Sequence, residues 1–321
     1  MQPWGTGGRT KQRGAMTPAI EIEGLTKVYG SGDEEYLAVD SLELTIGQGE
    51  VFGFLGPNGA GKTTTIQMLL EIVFPTSGSA RLLGEPLGAA ARAQVGYLPE
   101  MFQFHPFLRA DEFLDFHARL FGIPACERSK RIPEVLEQVG LKESSRSRIR
   151  TFSKGMLQRI GIGQAIINRP RLLFLDEPTS ALDPMGRRDM RDLIINLKRE
   201  GTTIFLNSHM LSEVEMVCDR VGIMNKGRLV RVSDVASLTQ AEHHVDIRAE
   251  GLTDATVERI RAIARGVERK DGYLNVTLER EEQVNEITII IAESGATLLE
   301  LKPRQVALEE AFLEVIEESA G

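Results

Sequence analysis

The chain has 321 residues, enough for one large domain and a second, smaller unit. Its formal net charge is −8, and neither half carries the basic excess of a protein whose main partner is nucleic acid. No stretch approaches the roughly 18 consecutive apolar residues of a membrane span, so we expect none. Cys126 and Cys218 lie far apart without metal-ligand spacing, which is typical of structural thiols in a reducing compartment.

The charge is unevenly distributed along the chain. Residues 239–321 carry 18 acids and 9 bases, whereas the remainder is nearly neutral. This step predicts a main domain over residues 17–238, with a helical part at about 102–168, and an acidic α+β domain over residues 239–321. Residues 1–16 lack the hydrophobic segment of a secretory signal, and we interpret them as a disordered extension. Alternatively, residues 1–15 lie upstream of a true start at Met16.

The first predicted elements are strands of an antiparallel sheet. Residues 20–25 alternate apolar and acidic side chains, which predicts an edge strand, and two further strands follow at 37–40 and 42–46. Tyr29 lies in the turn after the first strand. Its ring could stack on a flat base or simply pack against its neighbours.

A glycine-rich loop follows the buried strand predicted at 51–55 and precedes a predicted helix. The loop consists of Gly56, Pro57, Asn58, Gly59, Ala60, Gly61, Lys62, Thr63 and Thr64. Its glycines allow successive backbone N–H groups to face a phosphate chain, and the following helix directs its positive end at the same anion. Lys62 adds a charge for the β- and γ-phosphates, and Thr63 offers a hydroxyl to Mg²⁺. The sequence therefore predicts a nucleoside triphosphate site.

Polar side chains end three further predicted strands. Glu100 ends the strand predicted at 95–100, Asp176 and Glu177 end an apolar run, and His209 ends another. Successive strand residues point to opposite sides, so we expect one of the paired carboxylates to hold Mg²⁺ through its waters and the other to face the reacting phosphate. A polar cluster at the carboxyl ends of strands favours a functional role for His209 over a structural one.

Two helix starts and one aromatic cluster complete this domain. Ser153 is placed as an N-cap before Lys154, Gly155 and Met156, which directs backbone amides outward. Asp183 lies in a turn before the next helix. The region 102–121 is rich in phenylalanine and is either core or a surface that docks a partner.

The region 240–321 has another pattern. Its predicted order is β-α-β-β-α-β, which is ferredoxin-like, followed by an acidic helix at 308–318. The pair His243–His244 lacks further ligands at zinc spacing, so we expect no metal there.

Taken together, these motifs resemble the ATP-binding cassette (ABC) family, in particular the separate ATPase subunits of exporters for drugs, glycans or ions. Residues 56–63 match its Walker A motif, residues 172–177 Walker B, residues 152–156 the signature, and residues 180–183 the D-loop. Tyr29 matches the adenine-stacking aromatic and His209 the switch histidine. Two residues depart from the family pattern: Glu100 stands where Gln is usual, and Lys154 replaces the first signature glycine.

The resemblance implies an α/β ABC ATPase core with an antiparallel β subdomain and a helical subdomain. It also implies a dimer, of the chain with itself or with a paralogous subunit, which encloses two ATP molecules with Mg²⁺. Glu177, His209 and Lys62 would be catalytic, with Thr63, Glu100 and Asp176 at the metal. Such subunits lie in the cytoplasm on the inner face of the membrane, bound to integral permease subunits. The alternative is a soluble ABC ATPase that remodels ribosomes or DNA.

Overall fold

The structure is a computed structural model that describes residues 17–32, 35–180, 182–270, 272–278, 280, 282–305 and 307–319, with the backbone alone for 240–244 and 303–305. The predicted extension at 1–16, Ala181 in the D-loop and the side chains of His243 and His244 therefore lie outside the described part. The fold contains three sheets, which differ in strand direction and in burial.

The central sheet has six strands, most of them parallel. Its strands are β3 (Val51–Leu55), β6 (Val95–Leu98), β7 (Leu172–Asp176), β8 (Thr203–Asn207), β9 (Arg220–Asn225) and β10 (Arg228–Asp234). Their order is β10-β9-β3-β8-β7-β6, and only β10 runs antiparallel to its neighbour. Every residue of β3, β7 and β8 is buried, because both faces of this sheet are covered. Helices cover one face, and a helix together with a second, antiparallel sheet covers the other. The carboxyl ends of these three strands meet at one edge.

A second, antiparallel sheet is formed by strands that precede most of the central strands in the sequence. It consists of β1 (Ile20–Tyr29), β2 (Tyr36–Ile46), β4 (Ser77–Leu82) and β5 (Glu85–Pro86), in the order β2-β1-β4-β5. The prediction of an edge strand at 20–25 is wrong, because Ile22 lies opposite Leu44 on one side and Ala80 on the other. The two strands predicted at 37–46 form one strand with register shifts, and Ser41 within it has a positive φ of 47°.

Eight α-helices accompany these two sheets within the described residues. They are α1 (Lys62–Leu69), α2 (Ala89–Arg92), α3 (Ala110–Leu120), α4 (Ala125–Gln138), α5 (Lys154–Ile166), α6 (Pro184–Arg199), α7 (Leu211–Val217) and α8 (Val235–Thr239). Helices α3, α4 and α5 pack against one another, and Phe113, Val135 and Ile162 are buried in the same hydrophobic cluster. This helical group lies within the range predicted for the helical subdomain.

The third sheet has a hydrophobic cluster of its own. Its elements are β11 (Gln240–Glu250), α9 (Asp254–Arg261), β12 (Gly266–Lys270), β13 (Tyr273–Thr277), α10 (Gln283–Glu293) and β14 (Thr297–Gln305). The strands are antiparallel in the order β12-β13-β11-β14. Ile247, Ile260, Leu274 and Ile287 are almost fully buried between the sheet and its two helices.

The last helix, α11 (Leu308–Glu318), packs away from the third sheet's cluster. Its buried residues Leu308, Ala311 and Val315 belong to the cluster that also contains Val214 and Val217 of α7. It contacts α7, α8 and β9. None of the helices in the described residues is long and apolar enough to cross a membrane.

Candidate functional site

The glycine-rich loop connects β3 to α1 by a path that requires glycine at two positions. Gly56 has φ 155° and Gly61 has φ 102°, a region that L-residues rarely occupy. A Cβ atom on Gly61 would lie 2.4 Å from the carbonyl oxygen of Ala38, and one on Gly56 would lie 2.4 Å from that of Met224. Side chains are therefore excluded at both ends of the loop by conformation and by space.

Lys62 is the first residue of α1, and its side chain folds back along the loop. Its Nζ donates hydrogen bonds to the carbonyl oxygens of Gly56 at 2.8 Å and Pro57 at 3.1 Å. The residue is 8% exposed, and burial lowers the pKa of the ammonium group. The nearby carboxylates of Glu177, Asp176 and Glu100 oppose that shift, because their negative charges favour the protonated ammonium group.

A cleft of about 480 Å³ opens beside this loop. Its lining brings together nine residues that the sequence predicted from separate motifs, with three that it missed. The predicted ones are Asn58, Gly59, Gly61, Lys62, Thr63, Thr64, Glu100, Glu177 and His209. The missed ones are Tyr36, Ala38 and Asn207. Such a volume is within the usual range of ligand clefts.

Asp176 lies at the end of β7 and is almost inaccessible, at 1% exposure. The amide Nδ2 of Asn207, its cross-strand neighbour on β8, donates to Asp176 Oδ1 at 2.5 Å. Burial raises the pKa of Asp176, although the Asn207 hydrogen bond acts in the opposite direction. Asn207 Oδ1 is buried without a partner among the described residues, which leaves an acceptor for a metal-bound water. The Asp176 carboxylate, the Thr63 hydroxyl and the Asn207 amide oxygen are oxygen donors of the kinds that suit Mg²⁺. These donors therefore fit that ion.

Glu177 directly follows β7 with a left-handed backbone, φ 52°. Its backbone N–H donates to the carbonyl of Asn207 at 2.9 Å, and its side chain is 10% exposed. The carboxylate accepts from the backbone N–H of His209 at 3.0 Å, and its other oxygen lies 2.7 Å from His209 Nδ1. The sequence predicted both residues, and the structure adds their direct contact, which holds the carboxylate from two directions.

The signature residues lie at the start of α5. Ser153 is the N-cap, as the sequence predicted, because its Oγ accepts from the backbone N–H of Met156 at 3.3 Å. Ser153 and Lys154 are exposed, and residues 153–156 do not line the cleft of their own chain. Asp183 caps α6, and its Oδ1 accepts from the N–H of Gly186 at 2.8 Å. The nucleotide contacts predicted for these residues stay predictions.

Two tyrosines face each other where β1 ends and β2 begins. Tyr29 pairs with Tyr36 in the strand register, and Lys27 Nζ lies 4.9 Å from the centre of the Tyr29 ring. Tyr36 lines the cleft and its hydroxyl donates to the carbonyl of Gly59 at 3.2 Å, whereas Tyr29 is not among the lining residues. No local pattern distinguishes Tyr36, because strand pairing alone places it there.

A parallel sheet with a phosphate-binding loop and buried carboxylates at one edge is the architecture of a nucleotide-binding ATPase. The sequence profile of the family described as ABC transporter matches residues 39–180. An uncharacterized ABC transporter ATP-binding protein from Nostoc sp. (strain PCC 7120) is 40% identical over 308 residues, covering 94% of this chain and 91% of that protein. The bacitracin transport ATP-binding protein BcrA from Bacillus licheniformis is 36% identical, covering 94% and 98%.

The solved structures agree. A dimeric post-hydrolysis state of the ATP-binding cassette MJ0796, bound to ADP and Pi, superimposes with a TM-score of 0.61 at 25% identity, covering 67% of this chain and 98% of that one. The chain belongs to the ATP-binding proteins of ABC transporters. It is an ATPase that binds ATP and powers a transporter, and the predicted ABC ATPase fold is confirmed.

Proposed function

We propose that this ATPase drives an ABC exporter as a dimer, formed with itself or with a paralogous subunit. It would act in the cytoplasm, on the inner face of the membrane, bound to separate integral permease subunits. The observation that carries the dimer is the placement of residues 153–156 at an exposed helix start outside the cleft of their own chain. The transport function named for the bacitracin relative and the dimer of MJ0796 support the same proposal.

In the proposed dimer, the start of α5 in each subunit faces the cleft of the other. The unpaired N–H groups at this helix start carry a partial positive charge and are suited to an ATP γ-phosphate. Lys154 adds a full positive charge at the same end. Asp183, at the start of α6, lies at the same interface in this proposal. ATP would bridge the subunits, and loss of the γ-phosphate bridge would let them separate.

In this proposal, residues of the glycine-rich loop and of the strand ends act on the phosphates. Lys62 neutralises the β- and γ-phosphates beside the backbone amides of residues 56–61. Thr63, Glu100 and Asp176 would hold Mg²⁺, which supplies charge neutralisation at the phosphate oxygens. Glu177 orients the attacking water and accepts its proton, and His209, in contact with Glu177, reaches the γ-phosphate.

The role of Glu177 is tested by Glu177→Gln. This variant keeps the shape and an oxygen acceptor for His209, but it loses the basic carboxylate. We expect turnover to fall roughly a hundredfold or more, while ATP still produces a dimer in size-exclusion chromatography. Glu85→Gln, an exposed carboxylate on β5, is the matched control. Near-normal hydrolysis by Glu177→Gln would refute the assigned role.

The shared site is tested by mixing two inactive variants. Lys62→Ala removes the phosphate cation of the cleft, and Ser153→Arg blocks the helix start that the partner would supply. A mixed dimer retains one intact site, so combining equal amounts should restore activity, up to about a quarter of the wild-type rate for a symmetric dimer. If each site is complete within one chain, mixing restores nothing.

We further propose that the permease docks on the aromatic region at 102–121. Phe107 is 78% exposed and the neighbouring Met101 is 86% exposed, whereas Phe104 packs against the hydrophobic cluster of the helical group. A charge at Phe104 would disturb packing, so Phe107→Glu is the cleaner test. We expect it to abolish transport in vesicles while ATPase activity is retained. Ile289→Glu, at an apolar site on α10 that is 57% exposed, should leave both unchanged. Transport by Phe107→Glu would place the docking surface elsewhere.

A further inference from the structure

The position of His209 depends on the short helix that follows it. His209 stands between the end of β8 and the start of α7, and Met210 is the N-cap residue of that helix. The backbone N–H and the ring nitrogen Nδ1 of His209 both contact the Glu177 carboxylate. Only one residue separates His209 from α7, so a shift of α7 along the protein surface moves His209 relative to Glu177.

Helix α7 is held on one side by α6. Arg191 of α6 forms an ion pair with Glu213 at 3.7 Å and contacts Met216. Val214 and Val217 face the interior and are almost fully buried. These contacts hold the inner face of α7 against α6 and the hydrophobic cluster beneath it. They leave Glu215, on the exposed face, for a different partner.

That partner is the last helix of the chain. Glu215 Oε2 accepts a hydrogen bond from the backbone N–H of Leu308, the first residue of α11, at 3.1 Å. The N-cap residue of α11 is Ala307, which has no side chain able to cap the helix. Glu215 therefore supplies the cap from another helix, and its negative charge lies at the positive end of α11.

The apolar face of α11 secures the same contact. Leu308 is fully buried, and Ala311 and Val315 are 7% and 4% exposed within the cluster that contains Val214 and Val217. At the far end of the helix, Asn225 Nδ2 donates to Ser319 Oγ at 2.8 Å. Helix α11 is thus fixed at both ends, and its first turn is the end that contacts α7.

We propose that α11 positions His209 for hydrolysis by holding α7, with Glu215 and Leu308 as positioning residues. The inference rests on the catalytic role proposed for His209. It gives the C-terminal helix a function in the ATPase reaction, separate from any function of the third sheet. The effect passes through α7 to His209 and needs no contact between α11 and the nucleotide.

The test compares three variants of the full chain. Glu215→Ala removes the cap, Glu215→Gln keeps an acceptor oxygen, and Asn225→Ala removes the hydrogen bond at the other end of α11. We expect Glu215→Ala to lower kcat about threefold or more at temperatures well below unfolding, with an unchanged KM for ATP and a melting temperature slightly lowered by loss of the cap. Glu215→Gln should recover most of the loss, and Asn225→Ala should behave like the wild type. An unchanged kcat in Glu215→Ala overturns the proposal, as does an equal loss in Asn225→Ala.

A double-mutant cycle shows whether the effect passes through His209. In the His209→Ala background, Glu215→Ala should cause no further loss of kcat, because the residue that it positions is absent. A loss that multiplies with that of His209→Ala overturns the proposal. The two proposals fail separately. If His209→Ala hydrolyses ATP normally, the role of His209 is wrong, whereas if only Glu215→Ala is without effect, the role of α11 is wrong.

Discussion

The burial of Asp176 at the carboxyl end of β7 lowers the stability of the folded protein. Within the described part of the chain, the carboxyl group has one hydrogen bond, from Asn207, and it has little access to water. Because the pKa of Asp176 is raised in the folded state, the folded state binds a proton more tightly than the unfolded state does. Its ionisation therefore costs stability, and that cost grows as pH rises from below the unfolded pKa through the folded one.

We expect Asp176→Asn to stabilise the protein and to abolish ATP hydrolysis. The amide keeps an oxygen for the Asn207 hydrogen bond and carries no charge, so the free energy of unfolding at pH 7 should rise. Thermal unfolding at pH 7 and at pH 4 measures it, and the gain should be smaller at the lower pH. The exposed Asp234→Asn is the control. A lower melting temperature for Asp176→Asn at pH 7 would contradict the argument.

The two tyrosines separate what motif matching can find from what strand pairing decides. Tyr29 was predicted because its position matches the family pattern, whereas Tyr36 was found only when β1 and β2 were paired. We expect Tyr29→Ala to weaken ATP binding about tenfold, as loss of base stacking does. Tyr36→Phe removes only the hydrogen bond to Gly59 and should change affinity little. Nucleotide titration by fluorescence measures these two variants and Tyr36→Ala, which removes the Tyr36 ring. A large loss of affinity confined to Tyr36→Ala would assign base stacking to Tyr36.

Helix α3 contains a histidine that burial keeps neutral. The ring of His117 lies 4.5 Å from that of Phe113 and 5.2 Å from that of Phe116, centre to centre. Burial, with a smaller contribution from His105, lowers its pKa to about 4. The unfolded chain takes up this proton near pH 6.5, so the stability that neutral His117 contributes is complete above pH 6.5 and is lost as pH falls to about 4.

We therefore expect His117→Phe to reduce the loss of stability on acidification. The difference in unfolding free energy between pH 7 and pH 5 should be smaller in this variant by about 1 kcal/mol. Urea denaturation at the two pH values measures this. Phe121→Leu, an apolar substitution at the end of α3 that removes no titratable group, is the control and should show the wild-type difference. Equal pH dependence in His117→Phe and the wild type would show that His117 does not titrate as argued.

Elements with their own chemical signature were predictable, and those defined by a distant partner were not. The loop at 56–64 was recognised because phosphate binding needs glycine and lysine at fixed spacing, and the structure needs glycine at Gly56 and Gly61 for the same path. Strand β1 was misplaced at the edge because alternation of side chains reports one buried face and says nothing about neighbours on either side. Asn207 was missed for a similar reason, since its role comes from its cross-strand neighbour Asp176.

The chain as a whole is divided more finely by packing than by charge. The charge step near residue 239 grouped α11 with the acidic C-terminal region, and its sequence is acidic. Its apolar face nevertheless belongs to the cluster around α7, while β11 to β14 enclose a separate core. Composition could not reveal this, because the same acidic and apolar pattern suits a helix on either surface.

The exposed start of α5 has a consequence for the rate law of the enzyme. If the proposed dimer is the catalyst, hydrolysis by the purified subunit is second order in protein below the dissociation constant, and the rate per molecule falls on dilution. Two subunits held on one permease experience an effective concentration that reaches about the millimolar range. Assembly on the membrane would then raise activity without any change in the cleft, so a slow isolated subunit is compatible with a fast transporter.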